Sequence, residues 1–171
     1  MDFITSFPKV QGWDCLYVVI DRLTKFAHFF AIFSDYSASQ GANLFFREVF
    51  WLHGLPKTIV SDCDNKFTSA FWQELFILVG TKLATSTSYH PQSDGQTEII
   101  NKWIEGYLRN YWAGKQKTWI KWLHLGEYCY NTTHHMYTRM TPFKALYGYE
   151  ALNFGDLVFG DRRAPKAKDW V

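Results

Sequence analysis

Three acidic residues stand where carboxylates from different elements can converge. Asp2 lies in the first apolar run, Asp62 follows the short run Thr58 to Val60, and Glu98 opens a long helical segment. Phosphoryl transfer by divalent metals needs such convergence, because Mg²⁺ takes hard oxygen ligands in near-octahedral geometry. Two such ions about 3.5–4 Å apart activate the attacking oxygen and stabilise the leaving one. The three acids therefore predict a site for Mg²⁺ or Mn²⁺.

The helix that carries Glu98 has one polar face. That face comprises Glu98, Asn101, Lys102, Glu105 and Arg109, and the apolar face comprises Ile100, Trp103, Ile104, Tyr107 and Tyr111. Glu98 is thus expected to project away from the packing side, with Lys102 and Arg109 along the same side to meet phosphates. The alternative is that a glutamate in an early turn only complements the helix dipole.

Other acids compete for the same role. Asp64 follows Asp62 by two residues and would face the same side of an extended strand. Asp94 could bind substrate or cap a helix, and Asp21, beside Arg22 and Lys25, is expected to serve a turn or an ion pair. We favour none of these three as catalytic.

The elements that position these acids begin with strands and end with helices. Apolar runs at 2–6, 14–21 and 26–33 with short turns predict an antiparallel meander. A helix from about Ser37 to Gly54, a strand ending at Asp62, a helix at 68–79 and a strand at 83–87 predict parallel pairing. A polar loop at 88–96 then precedes helices at 97–112, 118–133 and 141–148. This order predicts an α/β fold: a mixed five-stranded sheet, three antiparallel strands plus two parallel, flanked by helices.

Composition and charge limit the class of protein. Hydrophobic residues make up 47% and aromatic residues 19% of 171 residues, which excludes disorder. The net charge is +2, but residues 99–144 hold seven Lys/Arg against two acids, with aromatics interleaved. This distribution fits a nucleic-acid surface or a core face that alternates with a solvated one.

Targeting and cysteine signals are few. No apolar run approaches the roughly 20 residues of a membrane span, and Met1-Asp2-Phe3 opens no secretory signal. Cys15, Cys63 and Cys129 show neither a disulfide framework nor zinc-ligand spacing. We expect an intracellular, nuclear protein with no membrane partner.

An ordered set of motifs resembles the integrase core of gypsy-type LTR retrotransposons over nearly the whole chain. The motifs are Met1–Ile4, Val18–Phe29, His53–Pro56, Ile59–Asp62, Lys66–Ser69, Tyr89–Glu98, Tyr130–His135 and Thr141–Gly148. The resemblance implies an RNase H-like fold and a D, D-35-E triad. Between Asp62 and Glu98 lie 98 − 62 − 1 = 35 residues. Matched residue by residue, the triad falls on Asp2, Asp62 and Glu98.

The resemblance also implies substrates, partners and limits of the domain. His90, Gln92 and Gln96 are candidates for DNA contact, because loops beside catalytic helices commonly carry binding groups; His90-Pro91 could instead only shape the turn. Lys102 is the stronger candidate for a phosphate contact, with Arg109 beside it. The expected partners are retroelement ends, target DNA and further copies of the chain. Residues 1–150 would form the core, and 151–171 the start of a truncated segment.

Three hypotheses for function follow. The first is metal-dependent 3′-end processing and strand transfer by a polynucleotidyl transferase. The second is a nuclease of RNase H type that uses the same carboxylates. The third is a catalytically silent domain of a truncated element that binds DNA or self-associates. Two departures bear on them: the strand around Asp2 is expected to be short and frayed, and Cys63 and Asn65 replace the Arg and Pro usual in relatives.

Overall fold

The computed structural model describes residues 1–5, 7–61, 80, 82–85, 91–112 and 118–152, with the backbone alone at 61, 82–85, 91–97 and 111–112. The helix predicted at 68–79 and the tail from Asn153 lie outside these ranges. Within them the chain builds two sheets and a set of covering helices.

The first three strands form the predicted antiparallel meander. Strand β1 (Asp2–Ile4) pairs with β2 (Cys15–Ile20), which pairs with β3 (Ala27–Ile32). Asp2 stands opposite Val18, and Val18 stands opposite Phe29. Strand β1 is short, as predicted, but it is paired from Asp2 onward rather than frayed.

Both faces of this sheet are buried, because consecutive side chains of a strand point to opposite sides. One face contributes Cys15, Tyr17 and Val19, which pack with Phe45 and Ile59. The other contributes Leu16 and Val18, which pack with Ile100, Ile104, Leu108, Trp119 and Leu123. The sheet therefore lies between two helical layers.

The helix predicted from Ser37 is one helical segment with a π-helical centre. It runs as α1 (Ala38–Phe45), a π-helix (Phe46–Phe50) and α2 (Trp51–His53). Ser37 and Gln40 form a capping box, with Gln40 N donating to Ser37 Oγ at 3.2 Å and Ser37 N donating to Gln40 Oε1 at 2.7 Å. Gly54 ends the segment with φ of 73°.

Two parallel strands follow, in the predicted pairing. Strand β4 (Thr58–Ser61) pairs in parallel with β5 (Lys82–Thr85). The terminal amino group of Met1 donates to the Val60 carbonyl oxygen at 2.7 Å, so β4 lies against the start of β1. The described strands nevertheless form a three-stranded and a two-stranded sheet, and one continuous five-stranded sheet stays a prediction.

Three helices complete the described chain: α3 (Pro91–Trp112), α4 (Trp119–Thr132) and α5 (Pro142–Tyr147). The predicted loop at 88–96 is wrong from residue 91, because α3 begins at Pro91 rather than near Thr97. Proline suits a first helical turn, since its φ is preset and its missing N–H would have no partner there. No helix in the described part of the chain combines the length and apolar character that a membrane crossing requires.

Side chains of α4 tie that helix to the outer edge of β3. Asn131 accepts from Ala27 N at 2.9 Å and donates to the Ala27 carbonyl at 2.8 Å. Glu127 Oε2 accepts from Phe29 N at 2.8 Å. An edge strand whose backbone groups are satisfied in this way no longer presents a free pairing edge there.

Candidate active site

Asp2 is held where β1 meets α3. Its Oδ1 accepts from Phe3 N at 2.8 Å, and its Oδ2 accepts from the Asn101 side-chain amide at 2.5 Å. The residue is half-buried and paired with Val18 in the sheet. A sheet residue and a helix residue 99 positions apart are thus joined at one carboxylate.

Glu98 lies one turn before Asn101 on α3. Its side chain is 64% exposed, which agrees with the polar face predicted for this helix. Lys102 Nζ lies 2.7 Å from Glu98 Oε1, and this hydrogen bond, followed by the charge of the lysine, lowers the pKa of Glu98. The carboxylate is therefore ionised at neutral pH, the state in which it can bind a cation.

Asn101 is the residue that sequence reasoning missed. Besides its bond to Asp2, it has a buried Oδ1 with no hydrogen-bond partner among the described residues. Buried polar atoms without partners are uncommon and call for an explanation such as a water or an ion. The available signal was its spacing, three residues after Glu98 on the same polar face.

One cavity of about 870 Å³ collects these groups. Asp2, Glu98 and Asn101 all line it, as do Asp21, Arg22, His28 and His53. Its apolar wall includes Val19, Ile20, Phe45, Val49 and Ile59. The fold thus brings two of the three predicted carboxylates to one cavity.

The remaining predicted site residues either lie outside the described residues or form ion pairs along α3. Asp62 and His90 lie outside the described residues, as do the side chains of Gln92 and Gln96, whose backbones are in the first turns of α3. Lys102 is ion-paired with Glu98, and Arg109 is ion-paired with Glu105, with Arg109 Nη2 3.5 Å from Glu105 Oε2. Arg109 is eleven residues beyond Glu98, roughly 16 Å along the helix axis. The roles of all these residues stay predictions.

Asp21 serves its own turn, as expected. Its Oδ1 accepts from Leu23 N at 3.3 Å, and its Oδ2 accepts from Thr24 N at 3.1 Å and Thr24 Oγ1 at 2.6 Å. This carboxylate organises the β2–β3 connection. Asp64 lies outside the described residues, and Asp94 is helical in backbone rather than in a loop.

The donor set fits a hard divalent cation. Carboxylate oxygens of Asp2 and Glu98 and the amide oxygen of Asn101 are the ligand types that Mg²⁺ takes. Across the described ranges no group of three or more His, Cys, Asp or Glu side chains is arranged to hold a metal. The third predicted carboxylate, Asp62, falls outside those ranges.

Two histidines that line the cavity, His28 and His53, belong to a series of hydrogen-bonded titratable side chains. His28 Nδ1 lies 2.9 Å from Glu127 Oε1, and His28 Nε2 lies 2.8 Å from His53 Nε2. Burial, followed by the neighbouring His28, lowers the pKa of His53. No sequence pattern predicted these hydrogen bonds, because the three residues come from β3, α2 and α4.

Comparison with curated proteins finds retrotransposon polyproteins. The chain is 36% identical over 149 residues to the Tf2-3 polyprotein of Schizosaccharomyces pombe, a match that covers 87% of the chain. The Tf2-4 polyprotein of the same yeast matches to the same extent. The chain spans 11% of the length of these relatives. No protein-family model matches the chain.

Solved structures with the same fold are retroviral integrases. A chain of the simian T-cell lymphotropic virus intasome, solved with a PP2A regulatory subunit, superposes with a TM-score of 0.72 at 15% identity, covering 89% of this chain and 55% of that one. The HTLV-2 integrase catalytic core with magnesium, in its trimeric form, gives 0.66 at 17% identity, with 84% and 93% covered. The BIV integrase catalytic core gives 0.62 at 18% identity, with 84% and 91% covered.

Sequence and fold agree, since the relatives in sequence are LTR-retrotransposon polyproteins and the relatives in structure are integrase catalytic cores. The chain is therefore similar in sequence to a segment of retrotransposon polyproteins and similar in fold to retroviral integrase catalytic cores.

Proposed function

We propose that this chain is a polynucleotidyl transferase core that carries out 3′-end processing and then strand transfer of retroelement DNA into target DNA. The observation that carries the proposal is that Asp2 and Glu98 line one cavity together with Asn101, whose side-chain amide donates to Asp2. The sequence relatives and fold described above support the same reaction class. Asp62 is proposed as the third carboxylate.

Within this proposal each residue has a separate task. Asp2, Asp62 and Glu98 would hold Mg²⁺ or Mn²⁺, which when bound activates an attacking oxygen and stabilises the leaving one. Asn101 orients the Asp2 carboxylate through its amide N–H. Lys102 keeps Glu98 ionised and places a positive charge beside the site, where a DNA phosphate would bind.

Several finer features belong to the same proposal. A single RNase H-like sheet of five strands would follow from β4 lying beside β1, which the bond from Met1 N to the Val60 carbonyl supports. Residues 1–150 would be the core and 151–171 a separate segment. His90, Gln92, Gln96 and Arg109 would contact DNA, and the site of action would be the nucleus.

We also propose two kinds of partner, DNA and further copies of this chain. DNA is the substrate, and the HTLV-2 relative is described in trimeric and dimeric forms, which supports self-association of this chain. Exposed large apolar side chains such as Trp51, 79% exposed, and Leu52, 64% exposed, fit a buried contact between copies. A strict monomer at high concentration in light scattering would overturn self-association.

A strand-joining assay tests the function. It uses a preassembled branched DNA substrate with Mn²⁺ and compares the chain with its Glu98→Gln and Glu105→Gln variants. Glu105 is a matched control, because it lies on the same polar face and is ion-paired with Arg109. We expect Glu98→Gln to lower the joining rate by at least about a hundredfold, since a neutral amide cannot replace a ligating carboxylate, while Glu105→Gln stays within about threefold of the parent chain.

Other results of the strand-joining assay would support different conclusions. Joining by Glu98→Gln at the parental rate would overturn the assignment of Glu98. Cleaved DNA without joined strands would favour the nuclease. DNA binding without any joining, from a chain whose circular dichroism shows a folded state, would favour the catalytically silent domain.

A further inference from the structure

Two surface turns are brought side by side by the pairing of α4 with β3. One turn, Asp21 to Lys25, joins β2 to β3, and the other, His134 to Met140, follows α4. Asn131 exchanges two hydrogen bonds with the backbone of Ala27, at 2.9 and 2.8 Å. The start of β3 is therefore fixed to the end of α4, so the turns next to them are neighbours.

Electrostatics agree with this proximity. Partial burial, followed by the positive charges of Lys25 and His134, lowers the pKa of His135. A lysine of the first turn is thus close enough to act on a histidine of the second. We call the surface formed by Arg22, Lys25, His134, Tyr137 and Arg139 the basic turn surface.

The basic turn surface carries an excess of positive charge. Arg22, Lys25 and Arg139 stand against two acids, of which Asp21 accepts three hydrogen bonds from its own turn and Glu150 is ion-paired with Lys144 at 3.0 Å. Across the described part of the chain no ion pair joins Arg22 or Arg139 to a carboxylate. Both guanidinium groups are exposed and available to a ligand.

The exposed apolar groups of the second turn fit the same kind of ligand. Tyr137 is 82% exposed and Met136 is 88% exposed, so both side chains are accessible to a ligand. An aromatic ring beside guanidinium groups is the combination by which proteins bind sugar-phosphate backbones and stack on bases. Planar guanidinium forks match phosphate oxygens in a bidentate manner.

The basic turn surface is continuous with the cavity of the candidate active site. Arg22 lines that cavity together with Asp2 and Glu98. A nucleic-acid strand whose phosphodiester lies at the two carboxylates would therefore meet Arg22 first and the second turn beyond it.

We propose that the basic turn surface binds the sugar-phosphate backbone of DNA extending from the carboxylate cavity, an inference that rests on the proposed function. Arg22 and Arg139 contact phosphates, and Tyr137 contacts a sugar or an unpaired base. The surface holds the flanking DNA in line with the cavity.

Salt-dependent DNA binding tests this surface. Fluorescence anisotropy with a short fluorescein-labelled duplex, in EDTA so that no turnover occurs, compares Arg22→Gln/Arg139→Gln with Lys9→Gln/Lys121→Gln. Both pairs remove two charges from exposed positions, but Lys9 and Lys121 belong to neither the cavity nor the two turns. Thermal melts of all variants check folding, and Arg139→Asn replaces Arg139→Gln if the latter unfolds.

We expect the arginine pair to bind at least about tenfold more weakly, with a slope of log affinity against log salt that is shallower by about two, because each phosphate contact contributes about −0.9 to that slope. The lysine pair should stay within about threefold. Tyr137→Ala should weaken binding without changing the slope, because tyrosine carries no charge.

Four results would overturn the proposal. If the arginine pair and the lysine pair weakened DNA binding equally, the effect would come from net charge alone and not from this surface. An arginine pair that binds like the parent chain, while joining by the parent chain still depends on Glu98, would remove this surface and leave the proposed function. If the parent chain neither bound nor joined DNA, both the DNA-binding surface and the proposed function would be overturned. If the surface bound an acidic protein instead of DNA, its ligand would be a protein.

Discussion

At the scale of single residues, the two polar atoms of the Asn101 amide have different environments. The nitrogen is hydrogen-bonded to a carboxylate, and the oxygen is buried. The amide N–H group donates to Asp2, and the oxygen has no hydrogen-bond partner among the described residues. An amide can only donate to an ionised carboxylate through nitrogen, so this orientation follows from the chemistry of the pair. Asn101 is therefore a positioning residue for Asp2.

Replacing Asn101 separates this role from simple packing. We expect Asn101→Ala to raise the Mg²⁺ concentration needed for half-maximal strand joining by about 10–100-fold, because residues that orient a metal ligand typically contribute that much. The measurement is the joining rate as a function of Mg²⁺ concentration. Partial rescue at high Mg²⁺ is expected, since the carboxylates themselves remain.

Asn110→Ala is the matched control for this substitution. Asn110 lies on the same helix, is exposed and takes no part in the cavity. If both alanine variants required the same Mg²⁺ concentration, the change would report on α3 as a whole and Asn101 would have no special role.

At the scale of elements, the position of α3 depends on a close crossing with α4. A Cβ added to Gly126 of α4 would lie 2.9 Å from Tyr107 Cε1 and 3.1 Å from Ile104 Cδ1. Real Cβ atoms essentially never lie within 3.0 Å of another atom, so a side chain at position 126 would force the Tyr107 ring to shift. Ile104 also packs in the core beneath the sheet, and α3 carries Glu98 and Asn101.

We expect Gly126→Ala to lower the free energy of unfolding by about 1–3 kcal/mol, the usual cost of overfilling a packed contact. Gly106→Ala is the control, because a Cβ there meets nothing within 4 Å. Alanine is preferred over glycine inside a helix, so this control should raise stability by up to about 1 kcal/mol. Urea unfolding measures both, and equal changes for the two variants would refute the close crossing.

At the scale of the whole molecule, one series of hydrogen-bonded side chains joins three separate parts of the fold. Glu127 on α4 contacts His28 on β3, and His28 contacts His53 at the end of α2. His28 is buried, and Asp21 is the further charged group that acts on His53. Gly54 follows His53 directly and leads into β4. The hydrogen bonds between Glu127, His28 and His53 therefore connect the strand before Asp62 to β3 and α4.

The low pKa of His53 makes global stability depend on pH. Its folded pKa is below the unfolded value of about 6.5, so the unfolded chain binds the extra proton first as pH falls. Its contribution is complete above about pH 6.5 and is lost progressively at lower pH. We expect the free energy of unfolding in urea to fall between about pH 7 and pH 5, and to fall less in His53→Gln. The same pH dependence in both proteins would contradict this account.

Local sequence patterns predicted most of the elements. Apolar runs with short turns predicted the meander, the helical spacing of apolar residues after Ser37 predicted α1, and Thr141-Pro142 predicted the start of α5, whose N-cap Thr141 accepts from Lys144 N. These signals act between residues close in the chain, where side-chain type alone decides which backbone groups are satisfied. The start of α3 was missed, because the polar run after Pro91 has the composition of a loop, and helical backbone there is not marked by an apolar stripe.

Residue type, spacing and family resemblance predicted Asp2, Asp62 and Glu98 as the site carboxylates, in that order along the chain. The folded chain was needed to show that Asn101 holds Asp2, that His28 joins Glu127 to His53, and that two basic turns are neighbours. The physical reason is distance along the chain. These contacts join residues 25 to 104 positions apart, so no local pattern encodes them, and they arise only when α2, α3 and α4 pack against the sheet that contains β1 and β3.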